Sequence, residues 1–232
     1  MGIVIAIDGP AGSGKSSTAK EVARRLNFTY VDTGAMYRAV TLLVIRQGID
    51  IHATEKIVAA ARNLDIRFRW IDNVHHTFIG DEDVTAAIRM SEVAELVSPV
   101  SAIPGVRIVM AEQQRAFARM SNIVMEGRDI GTNVFPDADL KFYMNADLHV
   151  RAQRRSRDYQ KIGQSLSLDE IAGELRKRDQ IDSSRTHSPL KKAEDAIVID
   201  TTHLSFEEQV AKIVGIVQKK LNLTNNSSIN NP

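Results

Sequence analysis

The stretch Gly9-Pro10-Ala11-Gly12-Ser13-Gly14-Lys15-Ser16 satisfies G-x-x-x-x-G-K-[ST] at every required position. Nothing else in the 232-residue chain limits its fold so tightly. The motif works in one context only, between a buried strand and a helix, and both flanks are present. Ile3–Ile7 is a continuous apolar run of the kind buried in a parallel sheet. Ser16–Asn27 carries Ala19, Val22, Ala23 and Leu26 on one helical face. The glycines permit backbone conformations that let successive N–H groups converge on phosphate oxygens. The helix dipole adds positive potential at the same point. The phosphate-binding stretch is therefore Gly9, Pro10, Ala11, Gly12, Ser13, Gly14, Lys15, Ser16 and Ser17. Within it Lys15 is expected to reach the outer phosphates of ATP, and Ser16 to ligate the accompanying Mg²⁺.

The rest of the chain extends this unit. Phe28–Val31, Ile123–Met125, Leu140–Met144 and Ala196–Ile199 are short apolar strands. The segments 35–47, 105–119, 147–162, 167–178 and 206–221 are helical in pattern, the fourth with Asp169 and Glu170 in its first turn. Strands alternating with helices predict an α/β P-loop fold of three layers around a five-stranded parallel sheet. Leu64–Ile71 and Val74–Ile79 instead alternate apolar and polar residues, with a turn at Gly80-Asp81. They predict a β-containing insert at 50–98 that interrupts the core segments 1–49, 99–150 and 190–222. Residues 151–189, which carry Arg151, Arg154, Arg155, Arg157, Lys161, Arg176, Lys177 and Arg178, are expected to form a helical lid. The Asn/Ser/Thr-rich residues 223–232 are expected to be a disordered tail.

A P-loop alone serves kinases, motor ATPases and GTPase switches alike. The guanine-selecting Asn-Lys-x-Asp of a GTPase is absent from the sequence. Ile123-Val-Met-Glu126 is an unclean match to the apolar run ending in Asp that motor ATPases use. Arginines are abundant and dispersed, at 38, 107, 128, 178 and 185, and phosphoryl transfer asks for positioned cations of that kind. A formal net charge of +1 gives no global attraction to nucleic acid or anionic lipid. With zero cysteines there is neither a disulfide framework nor a thiolate metal site, and six scattered histidines have no metal spacing. A monomer in the cytoplasm, with no nucleic-acid or membrane partner, is expected.

Several further motifs stand in order along the chain: Asp32-Thr-Gly-Ala-Met-Tyr-Arg38, Glu126-Gly-Arg-Asp-Ile-Gly131 with Val134-Phe-Pro-Asp-Ala138, Arg151-Ala-Gln-Arg-Arg155, and Arg178-Asp-x-x-Asp182-x-x-Arg185-x-x-Ser188-Pro-Leu190. Together, from Ile3 to about Leu221, they resemble the bacterial cytidylate kinases. The resemblance implies transfer of the γ-phosphoryl group of ATP to CMP or dCMP. It implies that Thr33 meets the nucleotide sugar and that Tyr37 and Arg38 follow it, Arg38 holding the acceptor phosphate. It places Ser98 and Arg107 on the cytosine ring, Arg128 on phosphate and Asp129 near the pyrimidine. Arg178, Asp182 and Arg185 would close over the acceptor, Asp182 on the sugar hydroxyls and Arg185 on the base.

The acceptor phosphate is already ionised at neutral pH, since a phosphate monoester loses its second proton near pH ~6, so in-line attack needs no general base. Lys15, Arg128 and the lid arginines would neutralise the transferring charge. Arg151 and Arg155, four residues apart, share a helix face; Arg155 and Arg178 are the lid candidates for catalysis. The alternatives are a P-loop kinase for another small acceptor and a nucleotide-dependent switch. Structural roles are expected for Met36, Met125 and Trp70 with Phe68 in cores, for Asp8 in ordering the P-loop, and for exposed His75 and His76 in the hairpin.

Overall fold

A computed structural model describes residues 2–161, 163 and 165–229, without the side chains of Lys161 and 223–229. Five parallel strands form the main sheet: β1 (Val4–Asp8), β2 (Thr29–Asp32), β6 (Ile123–Gly127), β7 (Leu140–Asn145) and β8 (Ile197–Asp200), in the order β2-β6-β1-β7-β8. Parallel strands are buried on both faces, and β1 shows this at single-residue resolution. Val4 and Ala6 enter one apolar cluster; Ile5 and Ile7 enter the other. The second cluster packs under α1 (Lys15–Leu26) and α8 (Phe206–Ile229). The first is covered by α2 (Thr33–Arg46), α3 (Thr54–Arg62), α4 (Ser91–Ala102) and α5 (Pro104–Phe117). Three layers result, as expected. Met36 and Met125 are core residues of the first cluster.

The insert is a three-stranded antiparallel sheet of β3 (Ile66–Ile71), β4 (Val74–Ile79) and the short β5 (Glu82–Asp83). Asp72 and Asn73, both at positive φ, make the tight turn between β3 and β4. Its apolar residues share the core of α2 and α5: Ile57, Leu64, Ile66, Val84 and Ile88 all belong to that cluster. Two expectations for the hairpin need correction. Trp70 is 41% exposed: it shares a face with Ile66 and Phe68 but lies at the far end of β3, beyond the covered core, with the Lys20 ammonium 5.1 Å from its ring centroid. His75 is instead half-buried, in ring contact with Tyr30 of β2 as well as with Phe68 and Trp70, and His76 is half-buried too, its Nδ1 2.6 Å from Asp83 Oδ2. Burial depresses the His75 pKa to about 4.

The lid region is two helices, α6 (Leu148–Lys161) and α7 (Leu168–Ser184), packed through Ala152, Ile171 and Leu175 against Ala11 of the P-loop. A capping box, Ser167 with Glu170, starts α7. The helix runs past Arg178, where the sequence pattern ends it, to Ser184. The last helix is also longer than expected: its backbone continues to Ile229, into the segment read as a disordered tail, because an established helix gains a hydrogen bond with each added residue. The remainder of that segment, 230–232, lies outside the described residues. Among the described residues, no single helix is long and apolar enough to cross a membrane.

Candidate active site

The C-terminal ends of β1, β6 and β7 are neighbours in the sheet, so the loops leaving these three strands meet at one rim. The P-loop leaves β1. Gly9 lies so close to β7 that a Cβ would stand 2.1 Å from the Met144 carbonyl oxygen, and Gly12 and Gly14 have φ of 76° and 89°. The loop is held from outside by side chains of α6. Arg151 Nη1 donates to the Ala11 carbonyl at 3.1 Å. Arg154 Nη1 donates to the Ser13 carbonyl at 3.3 Å and to Thr201 Oγ1 at 2.9 Å. Thr201 Oγ1 itself donates to the Ser13 carbonyl at 3.0 Å. Tying carbonyls outward turns the loop amides inward, which a phosphate cradle requires. Arg154 is thus neither a solvated charge nor a lid finger but a brace of the loop. Arg155, the lid candidate, stands 4.6 Å over the Tyr159 ring. Ser17 Oγ donates to the Gly14 carbonyl.

Glu126, at the end of β6, is a site residue that the sequence reading did not assign. Ser16 Oγ donates to its Oε1 at 2.5 Å, the Tyr30 hydroxyl donates to it at 3.4 Å, and Lys15 Nζ is 3.8 Å from Oε2. Burial pushes the Lys15 pKa down and the Glu126 pKa up. The signal in the sequence is the apolar run ending at this carboxylate. Ser16 and Glu126 are hard oxygen donors beside the cradle and fit Mg²⁺.

Asp8 orders a different segment from the one expected. Its carboxylate accepts from the Ile130 and Gly131 amides at 2.9 and 2.8 Å, fixing the turn after Arg128-Asp129, and burial raises its pKa to about 7.

The residues expected on the acceptor side gather across the rim from the P-loop. Thr33, first in α2, donates to the Glu126 carbonyl at 2.7 Å. Tyr37, one turn on, has the Arg107 guanidinium 5.3 Å from its ring centroid. Arg107 Nη2 donates to Asp129 Oδ1 at 2.6 Å, both side chains about 5% exposed. Arg128 Nε donates to Asp182 Oδ2 at 2.8 Å, and Arg185 pairs with the other oxygen of Asp182. Burial raises and the two arginines lower the Asp182 pKa; the arginines win. Arg178 has its pKa lowered to about 9, by burial first and then by Arg128 and Arg38. Burial lowers that of Arg38 as well. Ser98 is half-buried on α4, its carbonyl accepting from Ser101 Oγ at 3.0 Å.

Sequence reasoning also passed over Asp179. It accepts from the Ala11 amide at 3.4 Å and from Arg151 at 2.5 Å. One helix, α7, thereby touches the P-loop through Asp179 and the acceptor side through Arg178 and Asp182.

A braced P-loop facing a second, arginine-lined anion pocket defines a P-loop small-molecule kinase. The family model for cytidylate kinase matches residues 5–219. The chain is 46% identical over 230 residues to a cytidylate kinase of Acholeplasma laidlawii, covering 97% of this chain and 99% of that one. It is 48% identical over 221 residues to a cytidylate kinase of Limosilactobacillus fermentum, covering 95% and 97%. The solved structure of an uncharacterized protein from Eubacterium ventriosum shares the fold, with a TM-score of 0.52 at 12% identity over 94% of this chain and 99% of that one. This chain belongs to the cytidylate kinase family.

Proposed function

We propose that the protein transfers the γ-phosphoryl group of ATP to CMP or dCMP, giving ADP and CDP or dCDP. One observation carries the reading of the acceptor site. The Nε of Arg178 is buried without a partner opposite the P-loop, and burial first, then the charges of Arg128, Arg38 and Arg155, depress the Arg178 pKa. Around Arg178 the neighbouring arginines outweigh Asp182, so this position is suited to an anion.

The division of labour proposed here joins this geometry to the roles that the family resemblance implies. The P-loop amides and Lys15 hold the donor phosphates. Ser16 and Glu126 would hold Mg²⁺, which when bound screens phosphate charge. Arg38 and Arg178 bind the acceptor phosphate and aim its oxygen at the γ-phosphorus. That oxygen is ionised near neutral pH, so no side chain need take its proton. Arg128, between the two pockets, and Arg155 stabilise the charge in flight. Thr33 and Asp182 meet sugar hydroxyls; Tyr37, Ser98, Arg107, Asp129 and Arg185 enclose the pyrimidine. The insert at 50–98 and the lid at 151–189 would close on the acceptor and exclude water, the competing nucleophile. We take the protein to act as a cytoplasmic monomer on small molecules.

The test is ADP release by purified protein with ATP, Mg²⁺ and each nucleoside monophosphate in turn. Turnover is expected with CMP and dCMP and to be poor with AMP and GMP. Equal rates with GMP would overturn the substrate assignment. Full-rate ATP hydrolysis without any acceptor would make the protein a switch.

A further inference from the structure

We infer that Ser101 is a positioning residue for acceptor binding, its hydroxyl holding the Arg185 guanidinium in place across the pocket. Ser101 sits near the C-terminal end of α4 and is 7% exposed. It meets two acceptor-side arginines at once. Its carbonyl accepts from Arg107 Nη1 at 3.1 Å, and its Oγ accepts from Arg185 Nη2 at 3.2 Å. The hydroxyl proton is committed elsewhere, to the Ser98 carbonyl at 3.0 Å, which leaves a lone pair for the guanidinium. Ser98, one turn earlier, is a different residue, with the base contact that the resemblance implies.

Arg185 needs such a partner. It is the first residue beyond α7, in extended conformation, so the helix does not fix its side chain. Its Nε is buried without an aligned partner. Its carboxylate partner, Asp182, is shared with Arg128. A single shared anchor leaves the planar fork free to pivot; the Ser101 hydroxyl, 84 residues away in sequence, supplies the second point. It also ties the end of α7 to the segment that comes after the insert.

The proposal rests on Arg185 serving the acceptor, and a double-mutant cycle separates the two claims. KM for CMP and for ATP is measured for Ser101→Ala, Arg185→Ala, the double variant and Ser101→Thr. Loss of one hydrogen bond to a charged group predicts that Ser101→Ala raises KM for CMP about tenfold, with KM for ATP unchanged. Ser101→Thr, which keeps the oxygen, should recover most of this. In the Arg185→Ala background, Ser101→Ala should add nothing. Effects that multiply in the double variant, or an equal rise in KM for ATP, would overturn the proposal while leaving Arg185 in the acceptor site. An unchanged KM for CMP in Arg185→Ala alone would overturn both.

Discussion

The two halves of the site differ in what their cations chiefly hold. Around the P-loop they tie backbone as well as carboxylate: Arg151 and Arg154 hold the Ala11 and Ser13 carbonyls, and Arg151 also pairs with Asp179. On the proposed acceptor side they chiefly hold carboxylates: Arg107 to Asp129, and Arg128 and Arg185 to Asp182. Buried guanidinium nitrogens there still lack partners, at Arg107, Arg178 and Arg185. An unpaired buried donor is costly, and a ligand that supplies acceptors recovers that cost. On the proposed assignment, the backbone of the P-loop is preorganised, whereas the acceptor pocket holds most of its charges in ion pairs among its own residues.

Three perturbations sharpen or break this contrast. The largest effect is expected from Asp129→Ala, which leaves the Arg107 charge buried and unpaired. The loss is about 3–5 kcal/mol, or roughly 10 °C in Tm for a chain of this size. Thermal melts with and without CMP check it; a ligand-free Tm equal to wild type would mean that the pair is dispensable. Next is Arg154→Ala, which removes one of the two donors to the Ser13 carbonyl and frees the other, Thr201, without touching the proposed acceptor side. KM for ATP should rise about tenfold, the equivalent of ~1.4 kcal/mol, with KM for CMP unmoved. An equal rise in both would erase the distinction between the halves.

The smallest concerns His75, outside both pockets. Its folded pKa of about 4 lies below the ordinary histidine value of 6.5, so the unfolded chain binds more protons between those values. Its contribution is present above pH 6.5 and is lost as pH falls towards 4. Discounted for partial exposure to about 1 kcal/mol, this is roughly 2–4 °C in Tm. His75→Phe should lack this part of the acid sensitivity in melts at about pH 7.5 and about pH 5, on either side of the ordinary histidine range.

Much of the donor side was legible because its signals are local. Strand, glycine turn and helix are consecutive, and the alternation of Val4–Ile7 between two cores follows from strand period alone. Helix α4 escaped notice because Pro99 lies inside it, where proline reads as a breaker, and β5 is two residues long. The braces of the P-loop were not legible: Arg151 and Arg154 act on residues 140 and 141 positions away, and nothing near them distinguishes a brace from a solvated face. Trp70 shows the limit of alternation, which puts it on the same face as Ile66 and Phe68 but does not say how far along the strand that face stays covered. On the acceptor side the positions of the arginines came from family resemblance. Their carboxylate partners come from different strands and helices, so no spacing in the sequence announces them.

Helix α7 has a consequence of another kind. Asp179 fastens to the P-loop, while Arg178 and Asp182 belong to the acceptor pocket, all within five consecutive positions. A helix turns through about 100° per residue. The angle between the residue that meets the donor and those that meet the acceptor is therefore written into the phase of a single rigid rod. Adding or removing one residue between Asp179 and Asp182 would swing Asp182, with its Arg128 and Arg185 contacts, about a quarter-turn out of step with Asp179 and Arg178. On the proposed assignment of the two sites, the helix serves as a gauge block, and the separation of the two nucleotides is machined into it.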